Sequence, residues 1–334
     1  MLYKFEFRAY QRKFKRPLQT SHGIWDIREG IILRLNDENG LISWGEIAPL
    51  SLFGSENFDQ ALDFCHHLPA NISSEMIFSI SPELPACQFG FESALSNEIN
   101  SPPPAPPCQG GEKKLSQYSG LLPAGETALS ALQMLWAQGF RTFKWKISVA
   151  AIEEELQVFQ QLIKAMDDLG DRKKALLRLD ANGGLNYSQA ETWLKTCDNV
   201  LEIPDFSVKI EFLEQPLPVT QFDEMLALSA VYKTPIALDE SAANLDRIQE
   251  CYNQGWRGIF VIKPAICGSP SQLRKFCRTH NIDAVFSSVF ETQIGRQAAL
   301  NLATELSLNS RALGFGTDDW FDDYQETWLK HLWQ

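Results

Sequence analysis

Thr142-Phe143-Lys144-Trp145-Lys146-Ile147 is an apolar, strand-like run with two lysines set two residues apart. Residues i and i+2 of a strand point to the same side, so both ammonium groups would face one space. Like charges held together should lower the pKa of at least one of them, which suits a lysine that acts as a base. On its own such a pair fits a solvated strand face better, so the flanks must decide. Helical periodicity lies on both sides, over residues 127–138 and 152–166. The same alternation continues, with strands expected at 121–124, 142–147, 175–180, 209–213, 236–239, 258–262, 284–287 and 312–315. Further helices are expected at 188–196, 221–231, 269–279 and 294–306. Parallel strands need crossover connections, so this alternation predicts a (β/α)8 barrel. A doubly wound open sheet is the alternative, but no G-x-G-x-x-G turn follows the first strand, which counts against dinucleotide binding.

Upstream the pattern differs. Residues 1–70 alternate apolar and polar positions as short antiparallel strands do. Gly30-Ile31-Ile32-Leu33-Arg34-Leu35 and Leu41-Ile42-Ser43-Trp44-Gly45-Glu46 flank Asn36-Asp37-Glu38-Asn39-Gly40, which predicts a hairpin with an Asn-Gly turn. Thr20-Ser21-His22-Gly23-Ile24-Trp25 and Pro49-Leu50-Ser51-Leu52-Phe53-Gly54 read as loops, either ordinary surface turns or covers for a neighbouring site. Helical spacing follows over 57–68 and 91–99. The Pro- and Gly-rich tract 101–117 can neither continue a helix nor join a sheet, and reads as a linker.

The 334 residues have room for one barrel and an additional domain. Lysine and arginine number 30 against 42 aspartate and glutamate, a net charge of -12, which argues against nucleic acid or an anionic membrane as partner. An anionic substrate would then need a local lysine cluster or a metal ion. Seven cysteines (Cys65, Cys87, Cys108, Cys197, Cys251, Cys267, Cys277) include no C-x-x-C pair and read as free thiols of a reducing compartment. Charges recur too early in Met1-Leu2-Tyr3-Lys4-Phe5-Glu6 for a signal peptide, and no run is long enough to span a bilayer, so a soluble cytoplasmic protein is expected.

Barrel active sites lie at the C-terminal ends of the strands, so the polar residues that end each apolar run matter most. Asp180, Glu214 and Asp239 end three successive strands. Without a cation they would repel one another, and an oxygen-only set with room for water and substrate suits Mg²⁺. Any one of them could instead cap the helix that follows. All three together, flanked by lysines, argue for a metal. Lys263 stands on the sixth strand, roughly across the barrel from the second. Lys146 and Lys263 would then flank a substrate whose carboxylate lies on the metal, an arrangement suited to removing the α-proton. A buried lysine-carboxylate pair is the structural alternative for Lys263.

In these residues the chain resembles the enolase superfamily, in its muconate lactonizing enzyme-like subgroup, over almost its whole length. The resemblance implies an α/β architecture: a modified TIM (β/α)8 barrel over residues 118–316, an N-terminal α+β capping domain over 1–100, and a tail over 317–334 packing back on the cap. The stretches 20–25 and 49–54 fit the two loops that close the site. Thr20-Ser21-His22-Gly23-Ile24-Trp25, Arg28-Glu29-Gly30, Trp44-Gly45-Glu46-Ile47-Ala48-Pro49, Arg178-Leu179-Asp180-Ala181-Asn182-Gly183-Gly184, Ser287-Ser288-Val289-Phe290-Glu291-Thr292 and Gly314-Phe315-Gly316 carry a narrower likeness. It points to the dehydratases of menaquinone or phylloquinone biosynthesis, above all their cyanobacterial branch. Val289 stands where some members have a serine.

That likeness implies a Mg²⁺-dependent syn dehydration of 2-succinyl-6-hydroxy-2,4-cyclohexadiene-1-carboxylate, a small-molecule dicarboxylate, to o-succinylbenzoate, with Mn²⁺ as a substitute metal. Asp180, Glu214 and Asp239 would hold the ion. Lys146 would take the α-proton and return a proton to the departing hydroxyl, Lys263 would stabilise the anion from the opposite face, and Lys144 would support a lowered pKa at Lys146. Asn182 and Glu240 would stand behind the metal carboxylates, and Ser287, Ser288, Thr20 and Ser21 would meet the substrate. The alternative within the superfamily is an N-acylamino acid racemase or dipeptide epimerase, as sole or second activity. A barrel that binds without turnover is the alternative of another class, and the filled catalytic positions argue against it.

Overall fold

In the computed structural model, residues 1–20, 23–96, 117–169, 175–316, 320–321 and 325–333 are described. The chain begins β1 (Leu2–Thr20), β2 (Gly23–Asp37), β3 (Ile42–Ile47), α1 (Phe58–His67), β4 (Asn71–Ser73), α2 (Ser74–Phe78) and α3 (Pro85–Ser96). It continues β5 (Ser119–Leu122), α4 (Thr127–Gln138), β6 (Thr142–Lys146), α5 (Ile152–Leu169), β7 (Ala175–Asp180), α6 (Tyr187–Leu201), β8 (Val208–Glu214) and α7 (Phe222–Val231). Then come β9 (Ile236–Leu238), α8 (Leu245–Asn253), β10 (Ile259–Ile262), α9 (Pro264–Cys267), α10 (Pro270–His280), β11 (Ala284–Phe286), α11 (Gln293–Leu306) and α12 (Gln325–Leu332).

The first four strands form an antiparallel sheet ordered β3-β2-β1-β4. Its strands are not all short, as expected: β1 runs for 19 residues and β2 for 15. Pro17 has no N–H to give the ladder, and the register shifts between Lys13 and Leu18, after which pairing resumes with Leu18 opposite Trp25. The ribbon thus bends instead of ending. Gly23, Ile24 and Trp25, expected in a loop, belong to β2, and the tip lies between Thr20 and Gly23. The expected hairpin between β2 and β3 is present, with Gly40 at φ 80 in its turn.

Both faces of this sheet are covered. Ile31, Leu33 and Leu35 join Phe5, Phe89 and Phe91 in the main core. Ile32, Tyr10 and Trp44 face the other way, where Leu329 and Trp328 of α12 and then Trp333 cover them. Helix α3 crosses β3 at two glycines: a Cβ on Gly45 would fall 2.1 Å from Gly90 O, so any other residue would push the helix off the sheet.

Strands β5 to β11 form a parallel sheet in the order β11-β10-β9-β8-β7-β6-β5. The segment expected as an eighth strand contributes only two bridges, Leu313 with Tyr118 and Gly314 with Ser287. They suffice to close the sheet, since Ser119 N donates to Leu313 O (2.9 Å) and Gly314 N to Phe286 O (2.8 Å). Phe212, Ala237, Ile259, Val261 and Val285 fill the interior. Two residues beyond four of them come Glu214, Asp239, Lys263 and Ser287, which the pleat therefore aims into the mouth. Between the two lysines, Trp145 points the other way and packs edge-on against Trp193 of α6 (6.2 Å between ring centroids). Its side chain is fully buried, and truncation to alanine should cost about 3–5 kcal/mol. Among the described residues no helix is long and apolar enough to cross a membrane.

Candidate active site at the barrel mouth

Lys146, Asp180 and Glu214 stand side by side across β6, β7 and β8. Glu214 pairs with Ala237, which puts Asp239 on the same face one step further along the next strand. Lys144 lies one pleat below Lys146 on the same side. Its Nζ bridges Asp180 Oδ2 and Glu214 Oε1, each at 2.8 Å. Lys263 Nζ donates to Asp239 Oδ1, and the Phe53 ring covers that ammonium at 3.7 Å. Lys146 makes no ion pair or hydrogen bond among the described residues.

The electrostatics follow from this crowding. Burial and the neighbouring charge of Asp180 push the Glu214 carboxyl well above its ordinary pKa, against the pull of Lys144. At Lys144 burial disfavours the charge, but Asp180, Glu214 and Asp239 outweigh it and hold the pKa above the usual lysine value. The like-charge effect expected of the lysine pair is therefore not what governs Lys144. Its two nearest charges are carboxylates. Among the described residues no three His, Cys, Asp or Glu side chains are gathered as metal ligands, and two ammonium groups stand among the carboxylates. The donor set itself fits a hard divalent cation: three inward carboxylates, all oxygen, mutually repelling and held together by positive charge.

Asn182 and Glu240 also come together here. Asn182 N donates to Asp180 Oδ1 (3.0 Å) and its side-chain amide to Glu240 Oε1 (3.2 Å). Burial, with Asp239 and Asp180, pushes the Glu240 carboxyl up to about 7.

The turn after β11 is held by hydrogen bonds of its own. Ser288 Oγ donates to Glu291 Oε2 (2.9 Å), and Ser287 Oγ makes a long 3.3 Å bond to Gly314 O. The amides of Ser287, Ser288, Val289 and Phe290 donate to Ile262 O, Gly314 O, Glu291 Oε2 and Ser288 Oγ. These four backbone donors are thus used inside the fold. Thr20 ends β1, but its side chain, like the whole of Ser21, lies outside the described residues.

Three residues beyond those singled out in the sequence hold this geometry. Gln215, fully buried at φ 37, accepts from Asp239 N (3.0 Å) and Ser241 N (3.1 Å) and donates to Ser241 Oγ (2.8 Å), which ties the end of β8 to that of β9. Glu46 accepts from Tyr10 Oη (2.5 Å), Thr292 N (2.8 Å), Gly295 N (2.9 Å) and the Thr292 hydroxyl, which docks the cap sheet on the N-terminus of α11. Arg28 joins the cap to the turn after β11 through Val289 O. The only sequence signal for them is their place within or beside the motif stretches.

Residues 126–331 match the family described as Enolase C-terminal domain-like, and residues 9–98 match the MenC N-terminal domain. The o-succinylbenzoate synthase of Thermosynechococcus vestitus is 37% identical over 322 residues, 95% of this chain and 93% of that protein. That of Photorhabdus laumondii is 29% identical over 80% of this chain and 76% of its own length. The crystal structure of the Thermosynechococcus elongatus o-succinylbenzoate synthase, with Mg in its active site, superposes with a TM-score of 0.84 at 35% identity, covering 99% of each chain. These likenesses agree with the one carried by the lysine pair and strand-end carboxylates, and the chain belongs to the o-succinylbenzoate synthase family of the enolase superfamily.

Proposed function

We propose that this protein dehydrates 2-succinyl-6-hydroxy-2,4-cyclohexadiene-1-carboxylate to o-succinylbenzoate, with Mg²⁺ held by Asp180, Glu214 and Asp239 and with Mn²⁺ as a substitute metal. The observation that carries the reading is the level shared by Lys146, Asp180 and Glu214, with Lys146 the lysine left without a partner among the described residues. A bound Mg²⁺ would supply positive charge at the substrate carboxylate and so favour loss of the α-proton. Lys146 takes that proton as the C–H bond breaks, and returns a proton to the hydroxyl as the C–O bond breaks. Water leaves, and the ring gains its third double bond. One amine serves both transfers because they occur on one face. Lys263 stabilises the developing anion from the other side, and Phe53 keeps water from that ammonium.

Lys144 holds Asp180 and Glu214 together from below. Ser287, with its long hydroxyl bond, is better placed than Ser288 to turn towards a substrate carboxylate. The linker expected over 101–117 lies, but for Gln117, outside the described residues. We assign residues 1–100 to a cap, 118–316 to the barrel and 317–334 to a tail folded back on the cap. The packing of Trp328 on Tyr10 and of Trp333 on Trp44 supports the last of these. The thiols of Cys65, Cys87, Cys197, Cys251, Cys267 and Cys277 are buried and unpaired, which suits a reducing cytoplasm.

Ultraviolet monitoring of the cyclohexadiene substrate with Mg²⁺, before and after EDTA, tests the assignment. Turnover that EDTA abolishes and Mg²⁺ restores is expected. Exchange of the α-proton of N-acylamino acids in D₂O, with the cyclohexadiene untouched, would instead establish the racemase.

A further inference from the structure

Arg28 is 2% exposed, yet no carboxylate pairs with it among the described residues. Its guanidinium donates only to carbonyl oxygens: Nε to Val289 O (3.0 Å), Nη1 to Glu29 O (2.5 Å) and Pro49 O (2.9 Å), and Nη2 to Ala48 O (2.6 Å). The Trp25 ring, at 5.5 Å, adds a weak π contact. A buried cation without a counter-ion is costly, so a structure that keeps one must draw something from its geometry. What a planar fork offers, and a lysine does not, is several donors at fixed angles in one plane.

The four partners are significant because they lie in three separate segments. Val289 is in the turn after β11, where Phe290 adopts φ 62, a strained conformation for an aromatic residue, and packs against Trp25 (5.6 Å) and Phe14 (5.4 Å) of the cap ribbon. Ala48 and Pro49 open the loop that carries Phe53 over Lys263. Glu29 lies on β2, whose strand runs back to the ribbon tip between Thr20 and Gly23. A second clamp, Glu46 on Thr292 and Gly295, lies just before this loop and fixes the docking of the cap as a whole. Losing Arg28 would leave that docking in place and release only the loop.

We infer that Arg28 is a positioning residue that fastens the cap ribbon, the Phe53 loop and the turn after β11 into one unit, and so holds Phe53 over Lys263. The inference deepens the proposed function and rests on Lys263 acting in catalysis. If Arg28 works through Phe53, removing either should release the same contact, and removing both should add little. A structural role elsewhere would give additive losses.

The test is a double-mutant cycle on the Mg²⁺-loaded enzyme with Arg28→Met, Arg28→Lys, Phe53→Ala and the corresponding doubles. Each single substitution is expected to lower kcat/KM by about thirtyfold to a hundredfold, the scale of losses from a misplaced site element, and each double by no more than its worse single. Hydrogen exchange provides a readout without substrate. The amides of Phe53 and Gly54, which donate to Leu50 O and Ser51 O, should exchange about tenfold faster in both Arg28 variants. Those of Thr292 and Gly295 at the Glu46 clamp should stay protected. Additive losses, unchanged Phe53 and Gly54 exchange, or failure of both Arg28 variants to fold would each overturn the inference. Absence of turnover in the wild-type enzyme would overturn the proposed function instead, and the exchange result would stand apart from it.

Discussion

Replacing Glu46 with glutamine tests whether one side chain docks the cap on the barrel. The carboxylate is fully buried and every partner donates to it. Oε1 receives the Tyr10 hydroxyl and Thr292 N, while Oε2 receives the Thr292 hydroxyl and Gly295 N. The Tyr10 pKa is raised by burial and then by Glu46 itself, so that hydroxyl remains a donor. Whichever oxygen becomes NH₂, a backbone N–H then faces another donor. The loss is at least one hydrogen bond to a charged group, about 2 kcal/mol, with about 1 kcal/mol from the lost charge at the N-terminus of α11. Gly295 makes this close approach possible, since a Cβ there would fall 2.8 Å from Glu46 Oε2. At about 2.1 cal/mol/K per residue over 334 residues, a loss of about 3 kcal/mol lowers Tm by about 4 °C. Thermal unfolding followed by circular dichroism measures it, with Glu38→Gln in the exposed hairpin turn as a control expected within about 0.5 kcal/mol. A Glu46→Gln shift as small as the control's would refute the docking role.

Lys146→Ala should lower kcat by about 10⁴ with Mg²⁺ affinity and Tm near wild type, whereas Lys263→Ala should lose about 10²–10³, read from the same ultraviolet assay. Gln215→Leu strips partners from the buried amides of Asp239 and Ser241 and should weaken Mg²⁺ binding by about 10–100-fold, measured by calorimetry on the metal-free protein. Glu56 predicts a pH dependence of stability. Burial raises its folded pKa above 4.5, against the amides of Ala86 and Cys87. Between pH 4.5 and that folded value the native state binds more protons than the unfolded chain, so stability should fall as pH rises through the window and level off above it. Glu56→Gln should remove that part of the slope in Tm against pH and leave a pH-independent loss.

The parts of the fold visible in the sequence are those whose causes are local. Ala175–Asp180 was expected to the residue, since an apolar run meets a polar turn there. Helix α3 was expected over 91–99 but starts at Pro85, because its first amides are satisfied by Glu56, with Ala86 N to Oε2 (3.0 Å) and Cys87 N to Oε1 (2.7 Å). No local signal announces a cap supplied from about 30 residues upstream. Helix α8 escaped notice because only Leu245, Ile248 and Cys251 of its nine residues are buried, too thin a stripe to stand out. Alternation does not give the length of β1, since its pairing resumes at Leu18 beyond Pro17 and the register shift.

For the site, a period of two is enough to aim Lys144, Lys146, Asp180, Glu214, Asp239 and Lys263 into one mouth, but it carries no information about which charge meets which. That depends on register between strands, as Lys144 illustrates. Read along its own strand, its nearest charge is another lysine. Read across the sheet, two carboxylates stand at 2.8 Å, and with Asp239 their attraction outweighs burial. The two lysines thereby part company: Lys144 is fixed in the carboxylate cluster, and Lys146, one pleat higher and unpartnered among the described residues, keeps the freedom to move that proton transfer requires. Arg28 and Glu46 lie further from view for the same reason, since their partners are 261 and 246 residues away and only the folded chain brings them together.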